Sequence, residues 1–148
     1  DSVQGDRAAE FWIPRLCQER CILDASDIPD LVPILSVVAA ANHGAIFRNI
    51  QRLRIKESDR AASTIAMLQN LGGYAEATQD TLTVLGTGLV GGTVDAVNDH
   101  RIAMSAAIAA TVCSQPVTIL GAECVQKSYP LFWEEFRRLG GSYEQYLR

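Results

Sequence analysis

The sequence predicts an α/β protein, and three observations carry that prediction. Short apolar runs with strand character alternate with alanine-rich helical runs along most of the chain. Glycine stops recur where helical periodicity ends, above all at Leu71-Gly72-Gly73 and Leu139-Gly140-Gly141. The chain also echoes itself. A shift of 71 residues lays Asp24-Ala25 on Asp95-Ala96, Asp30 on Arg101 and Lys56 on Lys127. A further slip of three residues aligns the two Leu-Gly-Gly stops. Strand, helix, lysine and stop in one order indicate an internal duplication.

Taken in order, residues 1–19 are the least readable, with Ala8 to Leu16 as a short helix broken by Pro14. A first unit then spans residues 20–88 and a second, similar one residues 89–148. Cys21 to Ala25 reads as a strand. Ser26 or Asp27 is a plausible cap for a buried helix from Leu31 to Asn42, which is apolar all round. Ala45 to Ile50 is a strand, and Ser58 to Leu71 a helix. Tyr74 to Thr78 and Thr81 to Gly86 form a hairpin about Gln79-Asp80. In the second unit Thr93 to Ala96 is a strand, and Asn98 or Asp99 caps a buried helix running to about Cys113. Pro116 to Leu120 is a strand, Pro130 to Leu139 a helix, and Ser142 to Tyr146 a final strand.

Composition bounds the function. The 148 residues are 48% hydrophobic and 20% charged, ordinary for one substantial core. The net charge of -4 argues against nucleic acid as partner. No apolar run reaches the about 18 residues that span a bilayer, so no membrane role is expected. The four cysteines lack paired metal-ligand spacing and are expected as free thiols in the cytoplasm. The chain begins at Asp1 without methionine, which suggests a processed product or a piece of something longer.

Charge is concentrated in one place. Arg48 to Arg60 holds five of the 13 basic residues against only Glu57 and Asp59. Positive potential beside a helix start describes an anion site. The duplication sets Asp30, Arg52 to Arg60, Asn98 to Arg101 and Lys127 at helix starts or strand-to-helix turns, where related ends can converge.

Three segments together resemble a known family. Arg54-Ile55-Lys56-Glu57-Ser58-Asp59-Arg60 and Asp99-His100-Arg101-Ile102-Ala103-Met104 are similar to two signatures of the 3-phosphoshikimate 1-carboxyvinyltransferase (EPSP synthase) family. Ile28-Pro29-Asp30 resembles its Ile-Pro-Asp turn, and Lys127 its late lysine. The resemblance implies the enolpyruvyl transferase fold, built from repeated βαβαββ units with the active site in a cleft between two domains. It also implies that this chain is about the last third of the enzyme, so that a missing N-terminal domain is its partner. The substrates would be phosphoenolpyruvate and shikimate 3-phosphate, and no cofactor or metal is required.

Residue by residue, the resemblance makes Asp30 the base or proton relay at the sugar hydroxyl. Glu57 becomes the acid at C3 of phosphoenolpyruvate, and Lys56 a lysine between the substrates. Arg60 and Arg101 would hold the phosphoenolpyruvate carboxylate, Lys127 the departing phosphate, and His100 would neighbour that phosphate. Arg52 stands where many members carry asparagine; it reaches the substrate phosphate or faces solvent. Asp59 and Asp99 are expected at helix starts, as orienting residues. The sister family that acts on UDP-N-acetylglucosamine shares the fold but lacks these paired signatures. The remaining alternative is a non-catalytic anion-binding module, against which the retained acid and base argue. The resemblance implies three such units per domain; two of them would leave an apolar flank, through which self-association is expected.

Overall fold

The computed structural model describes residues 2–146, with side chains from Arg7 onward. Helix α1, Ser2–Gln18, runs through Pro14 rather than breaking there. Ala8, Trp12 and Leu16 recur every four residues, and this stripe packs on the core, with Leu16 fully buried. Burial of about 1.5–3 kcal/mol for each large side chain matches the roughly 3 kcal/mol that an interior proline costs. Arg15 reinforces the last turn: its Nη1 donates to the Phe11 carbonyl at 2.9 Å, and its guanidinium lies 3.6 Å over the Phe11 ring.

After α1 come strand β1 (Cys21–Asp24), helix α2 (Val32–Ala41), strand β2 (Ala45–Arg48), helix α3 (Arg60–Asn70), and strands β3 (Ala75–Ala77) and β4 (Thr81–Val84). The sheet order is β1-β2-β4-β3, with β1 and β2 parallel and the other pairs antiparallel. Strand alternation puts Leu23, Ala45, Phe47, Ala75, Leu82 and Val84 on the buried face, beneath the helices. Helix α2 lies in the middle of the packing, against α1, α3 and the later α4.

The chain continues as strand β5 (Gly92–Asp95), helix α4 (His100–Ala110), strand β6 (Val117–Leu120) and helix α5 (Phe132–Arg138). Strands β5 and β6 form a separate parallel pair. Helix α4 serves two cores. Its Ile102, Ala106 and Ala109 belong to the large one, and its Ala103 and Ala107 to a smaller one with Val125, Phe132 and Phe136. Alanines on both faces let neighbouring backbones approach closely.

The sequence echo has a physical content at the hydrogen-bond level. The Asp24 Oδ1 accepts from Ser26 N at 2.9 Å, and the Asp95 Oδ1 accepts from Val97 N at 2.9 Å. Ala25 N donates to Arg48 O at 2.8 Å, and Ala96 N to Leu120 O at 2.9 Å. The same aspartate-capped turn therefore follows both β1 and β5. At the stops, Gly73 N donates to Leu68 O at 2.8 Å and Gly141 N to Phe136 O at 2.9 Å. Both close their helix after a left-handed glycine, Gly72 at φ 89° and Gly140 at φ 105°.

Two further expectations fail locally. Neither Ser26 nor Asp27 caps α2, whose N-cap is Leu31 without a side-chain bond, after a 3-10 turn at Pro29–Leu31. Proline at the first helical positions has no N–H to satisfy, so a cap has less to do. The expected strand over Ser142 to Tyr146 does not form. Among the described residues no strand pairs with it. Instead Tyr143 turns back onto α5, 5.1 Å from the Trp133 ring and 4.4 Å beneath the Arg137 guanidinium.

Candidate active site

The basic stretch becomes a 3-10 turn at Gln51–Ile55 followed by the start of α3. Leu53 anchors the turn in the core, which turns Arg52 and Arg54 outward. Arg54 ties the turn to the hairpin: its Nη2 donates to Thr78 O at 3.2 Å, and its Nη1 lies 3.4 Å from Asp59 Oδ2. Asp59 caps α3 by accepting from Ala62 N at 3.2 Å. Arg52 Nη1 donates to the carbonyl of Ser26 at 2.7 Å, stapling the turn to the loop that leads to Asp30.

Arg60 is the centre. Its side chain is 0% exposed although it opens a helix. Its Nε donates to Asp99 Oδ2 at 3.0 Å and its Nη2 to Asp99 Oδ1 at 3.1 Å, a bidentate pair. On the other edge, Nη1 donates to Asp30 Oδ1 at 2.7 Å, and Nη2 also donates to Glu57. Lys56 Nζ lies 3.6 Å from the same Asp30 oxygen. The two edges differ in freedom. Asp99 is fully enclosed, whereas the Asp30 and Glu57 side chains are 51% and 49% exposed and can swing away.

The electrostatics agree with this geometry. Burial pushes the Asp99 carboxyl up, but the hydrogen bonds from Arg60 and Ser58 and the charge of Arg60 outweigh it, so its pKa lies below the usual range. Asp30 is likewise lowered: burial opposes, and the Arg60 hydrogen bond with the charges of Lys56, Arg101 and Arg60 prevails. Arg60 loses solvation by burial, yet Asp99, Asp30 and Glu57 raise its pKa and keep it charged. A carboxylate lowered on folding stabilises the fold above its unfolded pKa, about 3.9. That contribution is lost as pH falls through the lower folded values. Urea unfolding from neutral pH into the acid range is therefore expected to show stability falling below about pH 4, less steeply in Asp99→Asn than in the parent. Equal slopes would refute the assignment.

Of the sequence-predicted residues, Asp30, Lys56, Glu57 and Arg60 come together directly. Arg101 joins them through its charge on Asp30 and through its backbone N–H, which donates to Asp99 Oδ1 at 3.0 Å. His100, half-buried, begins α4 immediately after Asp99. Lys127, exposed, ends a 3-10 turn, Ala122–Lys127, that packs on α4. Arg52 stands apart from the Arg60 cluster, on the Ser26 loop.

Comparison with known proteins decides the family. The family model for EPSP synthase (3-phosphoshikimate 1-carboxyvinyltransferase) matches residues 16–136. The chain belongs to the EPSP synthase family. It is 40% identical to the 3-phosphoshikimate 1-carboxyvinyltransferase of Clostridium kluyveri, over 99% of this chain and 38% of that protein. With that of Clostridium acetobutylicum it shares 50% identity over 84% of this chain and 30% of the relative. An EPSP synthase structure from Acinetobacter baumannii superposes with a TM-score of 0.74 at 34% identity, covering 78% of this chain and 28% of that one. The chain thus spans about a third of the length of the EPSP synthases it matches.

Asp99 and Ser58 are the members of the cluster whose contacts sequence reasoning missed. Asp99 was legible as a helix start, and that local explanation hid its bond to an arginine 39 residues away. Ser58 Oγ donates to Asp99 Oδ2 at 2.8 Å and accepts from Ser63 Oγ at 2.9 Å. Its place inside the Lys-Glu-Ser-Asp-Arg signature was the available signal.

Proposed function

We infer that the chain is the C-terminal part of an enzyme that moves the enolpyruvyl group of phosphoenolpyruvate onto the 5-hydroxyl of shikimate 3-phosphate. The observation that carries this reading is the self-occupied arginine: a buried guanidinium fixed on one edge and held on the other by two displaceable carboxylates. A planar carboxylate is the ligand that such an edge accepts. The phosphoenolpyruvate carboxylate takes the Nη edge of Arg60, with Arg101 beside it, and so frees Asp30 and Glu57 for proton transfer.

Asp30 then takes the proton of the attacking hydroxyl, and Glu57 delivers one to C3, which becomes a methyl group as C2 gains the new C–O bond. Elimination reverses the C3 protonation and expels phosphate toward Lys127 and His100. Lys56, already on Asp30, keeps the proton traffic near both substrates. Arg52 supports the Ser26 loop and leaves its remaining donors for an anion.

The chain is one wall of a cleft, and the remainder of the enzyme supplies the other. Purified as 148 residues it is expected to release no phosphate from phosphoenolpyruvate in the presence of shikimate 3-phosphate. Joined to the domain that precedes this region in its relatives, it is expected to do so. Turnover by the chain alone would sink the half-site reading, and no transfer by the joined protein would sink the function.

A further inference from the structure

The Asp99 carboxylate sits at 0% exposure and accepts four hydrogen bonds. Its Oδ2 takes Arg60 Nε at 3.0 Å and Ser58 Oγ at 2.8 Å, and its Oδ1 takes Arg60 Nη2 at 3.1 Å and Arg101 N at 3.0 Å. An ionised carboxylate offers about four lone-pair sites, and every one is used. Helix capping does not require this. Asp59 caps α3 through its bond to Ala62 N, and its side chain is 44% exposed with one further ion pair to Arg54. Helix capping accounts for only one of the four bonds to Asp99.

We propose that Asp99 is a positioning residue: one buried carboxylate fixes the Arg60 guanidinium and the backbone at Arg101 together, so that two cations from different helices meet a substrate carboxylate at a set separation. This rests on the reading of Arg60 and Arg101 as the carboxylate-binding pair. Arg60 belongs to the first unit and Arg101 to the second, and Asp99 bonds to both. Binding energy gained at either arginine then depends on the geometry Asp99 imposes on both. Ser58, anchored by Ser63, closes the remaining side of the carboxylate and prevents it from rotating off Arg60.

The test is Asp99→Asn in the joined, active enzyme. Asparagine caps a helix about as well as aspartate, so α4 keeps its start. Its amide nitrogen, however, presents a donor where Arg60 or Ser58 also donates. The KM for phosphoenolpyruvate is expected to rise about tenfold or more, as for loss of a hydrogen bond to a charged group, with the KM for shikimate 3-phosphate changed less than about twofold. Asp59→Asn, altering the exposed cap, is expected to leave both constants unchanged. A melting temperature lowered in Asp99→Asn with both KM values unchanged would reduce Asp99 to a structural cap and overturn the proposal.

Should Asp99→Asn not fold, Ser58→Ala removes one bond and no charge. It is expected to raise the phosphoenolpyruvate KM about twofold to fourfold, selectively, because the lost bond is to a charged group and only part of its worth reaches the substrate through Arg60; no change overturns the proposal. A parent enzyme without transfer activity would defeat the functional reading instead. The clamp is then judged by the Arg60 Nε–H resonance, expected to be protected from solvent exchange in the parent and lost in Ser58→Ala or Asp99→Asn. An unprotected resonance in the parent would overturn it.

Discussion

Replacing Arg60 by methionine is expected to cost about 3–5 kcal/mol of folding stability, the loss typical of stranding a buried charge. Asp99 would keep only Ser58 Oγ and the Arg101 N–H as donors, inside a site that water does not reach. Single domains are stable by about 5–15 kcal/mol, so the variant approaches the unfolded state. The double variant Arg60→Met with Asp99→Asn removes both charges and is expected to recover part of the loss, since a neutral pair has far less to desolvate. Lys56→Ala provides the contrast: its 3.6 Å contact to a half-exposed Asp30 is worth less than about 1 kcal/mol. Urea titrations of the three variants at neutral pH decide the matter. An Arg60→Met protein within about 1 kcal/mol of the parent would mean that the Arg60–Asp99 pair contributes no more than an exposed one.

How much of this was legible in the sequence depends on the range of the interaction. Strands β1 and β2, helices α2, α3 and α4 and the β3–β4 hairpin are written in local pattern, and they lie close to where periodicity and turn residues set them. Caps made by one side chain on its own helix, Asp59 and Asp99, were legible for the same reason. What failed was settled at a distance. Pro14 predicts a break, but the Ala8–Trp12–Leu16 stripe finds a core to pack on. Ser142 to Tyr146 reads as a strand, but among the described residues no strand pairs with it. Arg60 is the sharpest case. Nothing local distinguishes an arginine in a basic run from its exposed neighbours Arg52 and Arg54, and its complete burial brings in, besides the nearby Glu57, carboxylates from two other parts of the chain, Asp30 and Asp99. The family signature marked the residue; only the fold gives the reason.

Gly92→Ala is expected to be the other costly change, at about 2–4 kcal/mol, combining backbone strain with a steric clash. Gly92 opens β5 at φ 147°, where residues with a side chain are rare. A Cβ there would lie 2.2 Å from the carbonyl oxygen of Asn70, at the end of α3. The neighbouring backbone leaves little room to yield. Val90 N and Gly91 N donate to Leu71 O at 2.7 and 3.1 Å, and Gly92 N donates to Pro116 O at 3.1 Å. This crossing is where the chain passes from the four-stranded sheet to the β5–β6 pair, a few residues before the turn that leads to Asp99. Strain here pushes β5 away from α3, and with it the start of α4 away from Arg60. Gly92→Ala should therefore weaken the Arg60–Asp99 clamp as well as the junction, and amide exchange at Arg101 should quicken together with exchange at Val90 and Gly91. Faster exchange confined to the junction would show that α4 is held in place by its packing on α2 and does not depend on the junction.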